Sequence, residues 1–370
     1  MNVTLVIPSY NERETIEKVI GILEDFFKSS TDNYKILVVD SFSPDGTGEA
    51  VKSLSKIYPN VSLLSVPKNG IGRAYMAGFA YAIANFSPEV LVEMDADLQH
   101  DPLDVRRLLA EIHNGFDSVI GSRYIAGGMI PKEWGIHRKF LSGFGGLFAR
   151  LVLGIPSVHD LTSGFKATRV KGFLDKIKLE EILSGKQAYK FHIIYELFKL
   201  GAKFKEVPII FANREYGESK IVKADLFEAL KVVIVLGLQR WASFIKFLTV
   251  GFVGLIIQTI AYQFLLRGGV FPSTAVVIGS ELAIISNFTF NNLWTFRERK
   301  LALIQIPFKF LQFNFTSLGA PIIQFIVVGA GVYLFGRSGL IANVSFFISL
   351  PLVLVWNYFF YTHLIWRKKK

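Results

Sequence analysis

Two hydrophobic patterns divide this chain. Over roughly the first 120 residues, short apolar runs alternate with stretches whose apolar positions recur every three or four residues. Residues 3–9, 34–40, 61–65, 90–94 and 118–121 read as strands. Residues 14–27, a segment after Asp45-Gly46-Thr47, residues 72–85 and residues 102–113 read as helices. In the first of these helices Ile16, Val19, Ile20, Leu23 and Phe26 form one apolar stripe, the face a helix lays on a sheet. Such regular alternation predicts an α/β domain with a mostly parallel sheet covered by helices, which binds its ligands at the carboxyl ends of the strands.

Farther along, that rhythm gives way to four apolar stretches near 247–266, 270–290, 310–335 and 340–366, each long enough to cross a bilayer as a helix. The expected organisation is a soluble domain over 1–224, a linking helix over 225–244 and an all-α, four-helix transmembrane domain over 245–370. Two amphipathic segments stand beside the membrane part. Near 138–153, Phe140, Phe144, Leu147, Phe148 and Leu151 share a face opposite Lys139, Ser142 and Arg150. Over 225–244, Leu226, Phe227, Leu230, Val233, Ile234, Gly237 and Trp241 form a second stripe. Both fit core packing as well as helices lying in the membrane interface, and because the second leads straight into the membrane part, interface helices are expected. Glu281 falls inside the second span, where an ionisable group should face other helices or a polar pocket.

Charge adds an orientation. Arg297, Arg299, Lys300 and Lys309 lie between spans two and three and Arg367 to Lys370 follow span four, whereas the other two loops offer Arg267 and Arg337. By the excess of positive residues on the cytoplasmic side, both termini and the soluble domain are expected in the cytosol, with the chain multi-pass in the cell membrane. The net charge of +11 is spread over the soluble part and the flanks of the spans, which suits a membrane face and anionic substrates rather than nucleic acid. Cysteine is absent, which excludes disulfides and thiolate metal sites. The opening residues Met1 to Pro8 read as a strand, not a signal peptide.

The polar residues that end the strands carry the candidate chemistry. Pro8-Ser9-Tyr10-Asn11-Glu12 follows the first strand, Asp40 through Thr47 the second, and Asp95-Ala96-Asp97-Leu98-Gln99-His100-Asp101-Pro102 the fourth. Two carboxylates and an amide oxygen at 95, 97 and 99 form the hard oxygen set that Mg2+ prefers, while Asp101 and Pro102 suit a helix start. Lys68-Asn69-Gly70-Ile71-Gly72-Arg73 also opens a helix, with backbone amides and basic side chains that could meet a phosphate. His100, His137 and His159 read as structural hydrogen-bonding residues rather than bases.

These pieces, with Gly121-Ser122-Arg123-Tyr124, Asp160-Leu161-Thr162-Ser163-Gly164-Phe165 and Asn213-Arg214-Glu215-Tyr216-Gly217-Glu218-Ser219-Lys220, resemble the inverting family 2 glycosyltransferases of GT-A fold. Within them, they resemble the polyprenol-phosphate sugar transferases of the dolichol-phosphate mannose synthase kind. The four-span block resembles GtrA-like membrane domains. The resemblance implies transfer of mannose from GDP-mannose to dolichyl phosphate across a β-linkage. UDP-glucose is an alternative donor, and a lipid-linked-sugar carrier or flippase an alternative of another class. It implies that Pro8, Tyr10, Glu12, Asp40, Lys68, Asp95 and Ala96 hold the donor nucleotide. Asp95, Asp97 and Gln99 would hold Mg2+ or Mn2+, and Arg123, Arg138, Ser142, Arg214 and Lys220 the acceptor phosphate, with Asp97, Arg123 and Arg214 central to catalysis. One departure stands out, since the family usually has a second Asp after Asp40 and this chain has Ser41. Gln239-Arg240-Trp241 lacks the Gln-x-x-Arg-Trp spacing of processive synthases, which implies one sugar per acceptor.

Overall fold

A computed structural model describes residues 1–131, 135–212 and 223–367, and of residues 136–138, 140, 141 and 223 the backbone alone. It divides into two compact units, Met1–Gln239 and Arg240–Lys370.

In the first unit the expected alternation is present: β1 (Asn2–Ser9), α1 (Arg13–Phe27), β2 (Asn33–Asp40), α2 (Thr47–Ile57), β3 (Val61–Ser65), α3 (Ile71–Phe86), β4 (Val90–Glu93), α4 (Val105–His113) and β5 (Ser118–Ser122). There follow α5 (Ile136–Leu153), β6 (Lys166–Arg169), α6 (Tyr189–Lys199) and β7 (Phe204–Pro208). The seven strands pair in the order β3-β2-β1-β4-β6-β5-β7. Every pairing is parallel except those of β6, which runs antiparallel to both β4 and β5. The pattern of apolar positions does not announce β6, because Lys166-Ala167-Thr168-Arg169 has polar residues at three of its four places. Tertiary pairing overrides local preference there, and Lys166 is fully buried, its Nζ 2.7 Å from Glu93 Oε2 at the facing register position.

Helix α3 approaches the sheet more closely than ordinary side chains allow. A Cβ at Gly78 would lie 2.5 Å from Val6 Cγ1 and 2.8 Å from Val39 Cγ2, so the missing side chain is what lets the helix settle. On the other flank, α5 and the start of α7 (Lys223–Arg267) divide their apolar residues between two surroundings. Ala149, Leu153, Val232, Val233 and Leu236 are buried around Ile120 and Ile194. Phe144, Leu147, Leu151, Phe227 and Leu230 are exposed, Phe227 to 74%. The second stripe therefore splits: Val233 belongs to the core, and a Cβ at Gly237 would collide with Val152.

Helix α7 continues without a break past the point where the apolar pattern suggests that an interface helix ends and a span begins. In the second unit α8 (Pro272–Phe290), α9 (Ile306–Ser317), α10 (Gly319–Phe335) and α11 (Gly339–Phe360) follow, giving, among the described residues, four helical segments long and apolar enough to cross a membrane. The third segment is interrupted at Leu318, where Pro321 lacks the N–H that would bond Ser317 and its ring crowds that carbonyl. Arg267, Asn287, Phe288, Phe296 and Arg297 recur at one constant spacing as Arg337, Asn357, Tyr358, Trp366 and Arg367. Each set ends in a π-helical turn, Asn291–Thr295 and Tyr361–Ile365. Ring contacts join the two sets: Phe247 meets Tyr358 at 5.5 Å, Phe313 meets Phe288 at 5.5 Å, and the equivalent Phe296 and Trp366 stack on each other at 4.7 Å. Glu281 corrects an expectation, because it lies on an exposed face of α8 and not among the helices. The buried stripe of α8 is Ala275, Gly279 and Ala283, and a residue two places from Gly279 points roughly to the opposite side.

Gly78→Ala is expected to destabilise the full chain by about 1–3 kcal/mol through overpacking, despite alanine's higher helix propensity. A melting temperature in detergent equal to or above that of the parent would contradict the close approach.

Candidate active site

Three strand-end loops converge at the carboxyl edge of β1, β2 and β4, and each contains a non-glycine residue in the left-handed region: Asn11 at φ 57°, Phe42 at 49° and Leu98 at 57°. For Phe and Leu this conformation is strained, and such strain persists only where surrounding bonds over-determine it. Here the first two loops are laced together. Asn11 N–H donates to Ser43 Oγ (3.0 Å), Glu12 N–H to Thr47 Oγ1 (3.1 Å) and Arg13 N–H to Asp45 Oδ2 (3.0 Å). The third is held by Gln99, whose N–H reaches Asp97 Oδ1 at 3.2 Å. Gln99 and Ala212 also exchange bonds, Nε2 to the Ala212 carbonyl and Ala212 N–H to the Gln99 carbonyl, both at 3.0 Å. The chain leading to residue 213 is thus anchored on the loop that carries Asp95 and Asp97.

The residues proposed for the nucleotide take different places. Lys68 Nζ stands 3.5 Å from the centre of the Tyr10 ring, a cation–π contact at the cleft edge. Pro8 is buried in β1 beside Val39, and Ala96 is buried. Asp40 is buried and engaged by the chain itself: its carboxylate accepts from Ser9 Oγ (3.2 Å), Ser43 Oγ (2.5 Å) and Ser43 N–H (3.0 Å). These bonds tie Asp40 to its own loop, and the adjoining Ser41 is a neutral hydroxyl.

Asp97 is buried and Asp95 half-buried. Asp95 Oδ1 accepts a 2.9 Å bond from the Tyr75 hydroxyl, and a Cβ at Gly164 would stand 3.3 Å from Oδ2. Burial together with Asp95 and Glu93 raises the Tyr75 phenol well above its ordinary range, so it remains a donor. No group of three or more acidic or histidine side chains is close enough to cage a metal among the described residues. The donor set fits an ion that keeps most of its shell for others: two carboxylates and the Gln99 amide oxygen leave sites for phosphate and water, the usual economy of Mg2+.

Cations face these acids. Arg123, the residue after β5, is gripped by Asp160: Nε to Oδ2 and Nη2 to Oδ1, both 2.8 Å, with Nη2 also 2.6 Å from Thr162 Oγ1. Burial would raise the Asp160 carboxyl, but the Arg123 charge and the hydrogen bonds outweigh it and hold it below the usual range. Ser142 is hydrogen-bonded to the Tyr124 hydroxyl. Arg214 and Lys220 lie outside the described residues, as does the Arg138 side chain. His100 is buried against Phe165, and burial lowers its pKa to about 4, so its ring is neutral at physiological pH.

Lys190, at the start of α6, escaped the sequence reading. Only 7% exposed, its ammonium has no hydrogen bond or ion pair among the described residues, and a Cβ at Gly164 would lie 3.0 Å from it. Burial lowers its pKa, while the charge of Asp95 opposes that shift. The signal was present as a lysine among Tyr189, Phe191, Ile193 and Ile194, a charge where a buried helix face wants none.

A family model described as glycosyl transferase family 2 matches residues 4–175, and one described as the GtrA/DPMS transmembrane domain matches residues 246–366. The chain is 34% identical to a dolichol-phosphate mannosyltransferase of Pyrococcus furiosus, over 93% of its own length and 94% of the relative's. It is 38% identical to an undecaprenyl-phosphate mannosyltransferase of Micrococcus luteus, over 65% and 96%. It is 36% identical to a polyprenol monophosphomannose synthase of Mycolicibacterium smegmatis, over 64% and 86%.

Asp160→Asn is expected to cost about 3–5 kcal/mol of stability at pH 7 by leaving a buried guanidinium without its partner. Because the folded pKa of Asp160 is depressed, its contribution is complete above the ordinary carboxyl value of 3.8 and is lost as pH falls through the folded value. Unfolding midpoints measured from pH 7 to pH 2 should therefore fall less steeply at the acid end in the variant.

The four apolar helices and the matched transmembrane domain make this a membrane protein, and the chain belongs to glycosyl transferase family 2, as a glycosyltransferase that joins a GT-A domain to a GtrA/DPMS membrane domain.

Proposed function

We propose that this enzyme transfers mannose from GDP-mannose to dolichyl phosphate at the cytosolic face of the membrane, giving a β-linked mannosyl phosphate lipid and GDP. The observation that carries the reading is the gathering of acids and cations at one sheet edge: a Cβ at Gly164 would stand 3.3 Å from Asp95 Oδ2 and 3.0 Å from Lys190 Nζ, and Arg123 is held by Asp160 at the neighbouring strand end, a mixed charge that suits a metal-bound diphosphate and a second phosphate. The relatives support mannosyl transfer to a polyprenyl phosphate, and the one that matches 93% of this chain is a dolichol-phosphate mannosyltransferase.

Pro8, Tyr10, Glu12 and Asp40 would hold the base and ribose, with Lys68 and Ala96 completing the nucleotide site. Asp95, Asp97 and Gln99 would hold Mg2+ or Mn2+ on the donor diphosphate. Bound there, the ion supplies Lewis-acid neutralisation of the charge that develops on the leaving oxygen. The acceptor phosphate is already an anion at neutral pH, so its site needs cations and hydrogen-bond donors to aim an oxygen at the anomeric carbon rather than a base. Arg123, its plane set by Asp160, and Ser142 would serve that end with Arg138, Arg214 and Lys220, and Lys190 would face the phosphates from below. In-line attack then inverts the anomeric centre. The soluble domain over 1–224 would perform this chemistry, while the exposed apolar residues of α5 and of the start of α7 would dip into the interface and the spans would anchor the chain. One sugar is transferred per acceptor.

Transfer of labelled sugar from GDP-mannose and from UDP-glucose to dolichyl and to undecaprenyl phosphate tests the proposal directly. GDP-mannose with dolichyl phosphate should be the best pair, chelator should abolish transfer, and Asp97→Asn should lower it by about 10²–10³. Preference for UDP-glucose would refute the donor, and indifference to chelator the metal.

A further inference from the structure

Behind Asp95 a line of buried polar groups runs from the sheet toward the cleft. Lys166 Nζ donates to Glu93 Oε2 at 2.7 Å, and the Tyr189 hydroxyl donates to the same oxygen at 2.7 Å. The Tyr189 ring stacks on the Tyr75 ring with centroids 5.3 Å apart, and Tyr75 also packs on Phe79 at 5.8 Å. The Tyr75 hydroxyl ends the line on Asp95 Oδ1. Both tyrosines have no exposed surface. Tyr75 can reach Asp95 because Gly78, one turn along α3 on the same face, brings the helix down onto Val6 and Val39.

We propose that Tyr75 is a positioning residue for the proposed metal ligand Asp95: it claims Oδ1 and thereby turns Oδ2 toward the cleft beside Gly164. Outer hydrogen bonds of this type orient coordinating carboxylates, and their loss typically weakens metal binding 10- to 100-fold. Without the hydroxyl the Asp95 carboxylate can rotate, and holding it in the productive orientation falls to the incoming ion. Tyr189 differs. Its hydroxyl satisfies Glu93 within the buried ion pair and touches Asp95 only through the ring stack, so its role is support of the fold.

The inference rests on the proposed metal site, and the test separates the two. Mn2+ binding to the full chain in detergent, with and without GDP, is followed by the electron paramagnetic resonance signal of free Mn2+, alongside the melting temperature. Tyr75→Phe should weaken Mn2+ binding about 10- to 100-fold and raise the half-saturating Mn2+ concentration for transfer by a similar factor, with the rate at saturating Mn2+ recovering to within a few-fold of the parent. Tyr189→Phe, which removes a hydroxyl from the same buried stack, should lower the melting temperature while leaving Mn2+ affinity within about threefold. Unchanged Mn2+ binding in Tyr75→Phe overturns the positioning role, as does an equal loss in Tyr189→Phe, which would mark a general packing effect. A parent protein that binds no Mn2+ in either condition overturns the metal site itself and this inference with it.

Discussion

The buried pair of Lys166 and Glu93 sets the geometry on which the cleft depends. An ammonium and a carboxylate taken out of water tolerate little misplacement, because either one left alone carries a large desolvation penalty. The pair therefore pins the register of β6 against β4, at the one place where an antiparallel strand enters an otherwise parallel sheet. Because β6 runs the other way, it begins where β4 ends. Asp95 and Asp97 leave β4 two and four residues past Glu93, and Asp160, Thr162 and Gly164 arrive at the same edge just before Lys166. Arg123 leaves β5 there as well and is caught by Asp160.

This edge gathers charge of both signs and keeps it from collapsing into a single neutral cluster. Arg123 is matched by Asp160, whereas Lys190 stands without an ion pair among the described residues beside a glycine that leaves it room. The left-handed backbone at Asn11, Phe42 and Leu98 lies in the loops at this edge. The bonds that Ser43, Asp45 and Thr47 make to the first loop, and that Gln99 makes to Asp97 and Ala212, hold those conformations before any ligand arrives, which lowers the entropy lost on binding.

The membrane unit is held by a different economy. Aromatic rings meet between its two halves, and each half closes on a π-helical turn followed by an aromatic residue and an arginine. Where apolar burial distinguishes helix from lipid only weakly, shape and ring contacts carry the packing.

Sequence alone determined the alternation of strands and helices, the three polar strand ends, the acidic pair at 95 and 97 and the four apolar spans. Each is written within a few neighbouring residues, as a period or a run. The tertiary structure alone decided that β6 is a strand and antiparallel, that Asp40 is bonded to Ser9 and Ser43, that Arg123 is paired with Asp160, that Glu281 is exposed, that Tyr75 bonds Asp95, and that Lys190 is buried beside Gly164. Glu93 and Lys166 are 73 residues apart in the chain, Arg123 and Asp160 are 37 apart, and Tyr75 and Asp95 are 20 apart. Contacts across such separations leave no local period to read, because the order of strands in the sheet, not the order of residues in the chain, brings them together.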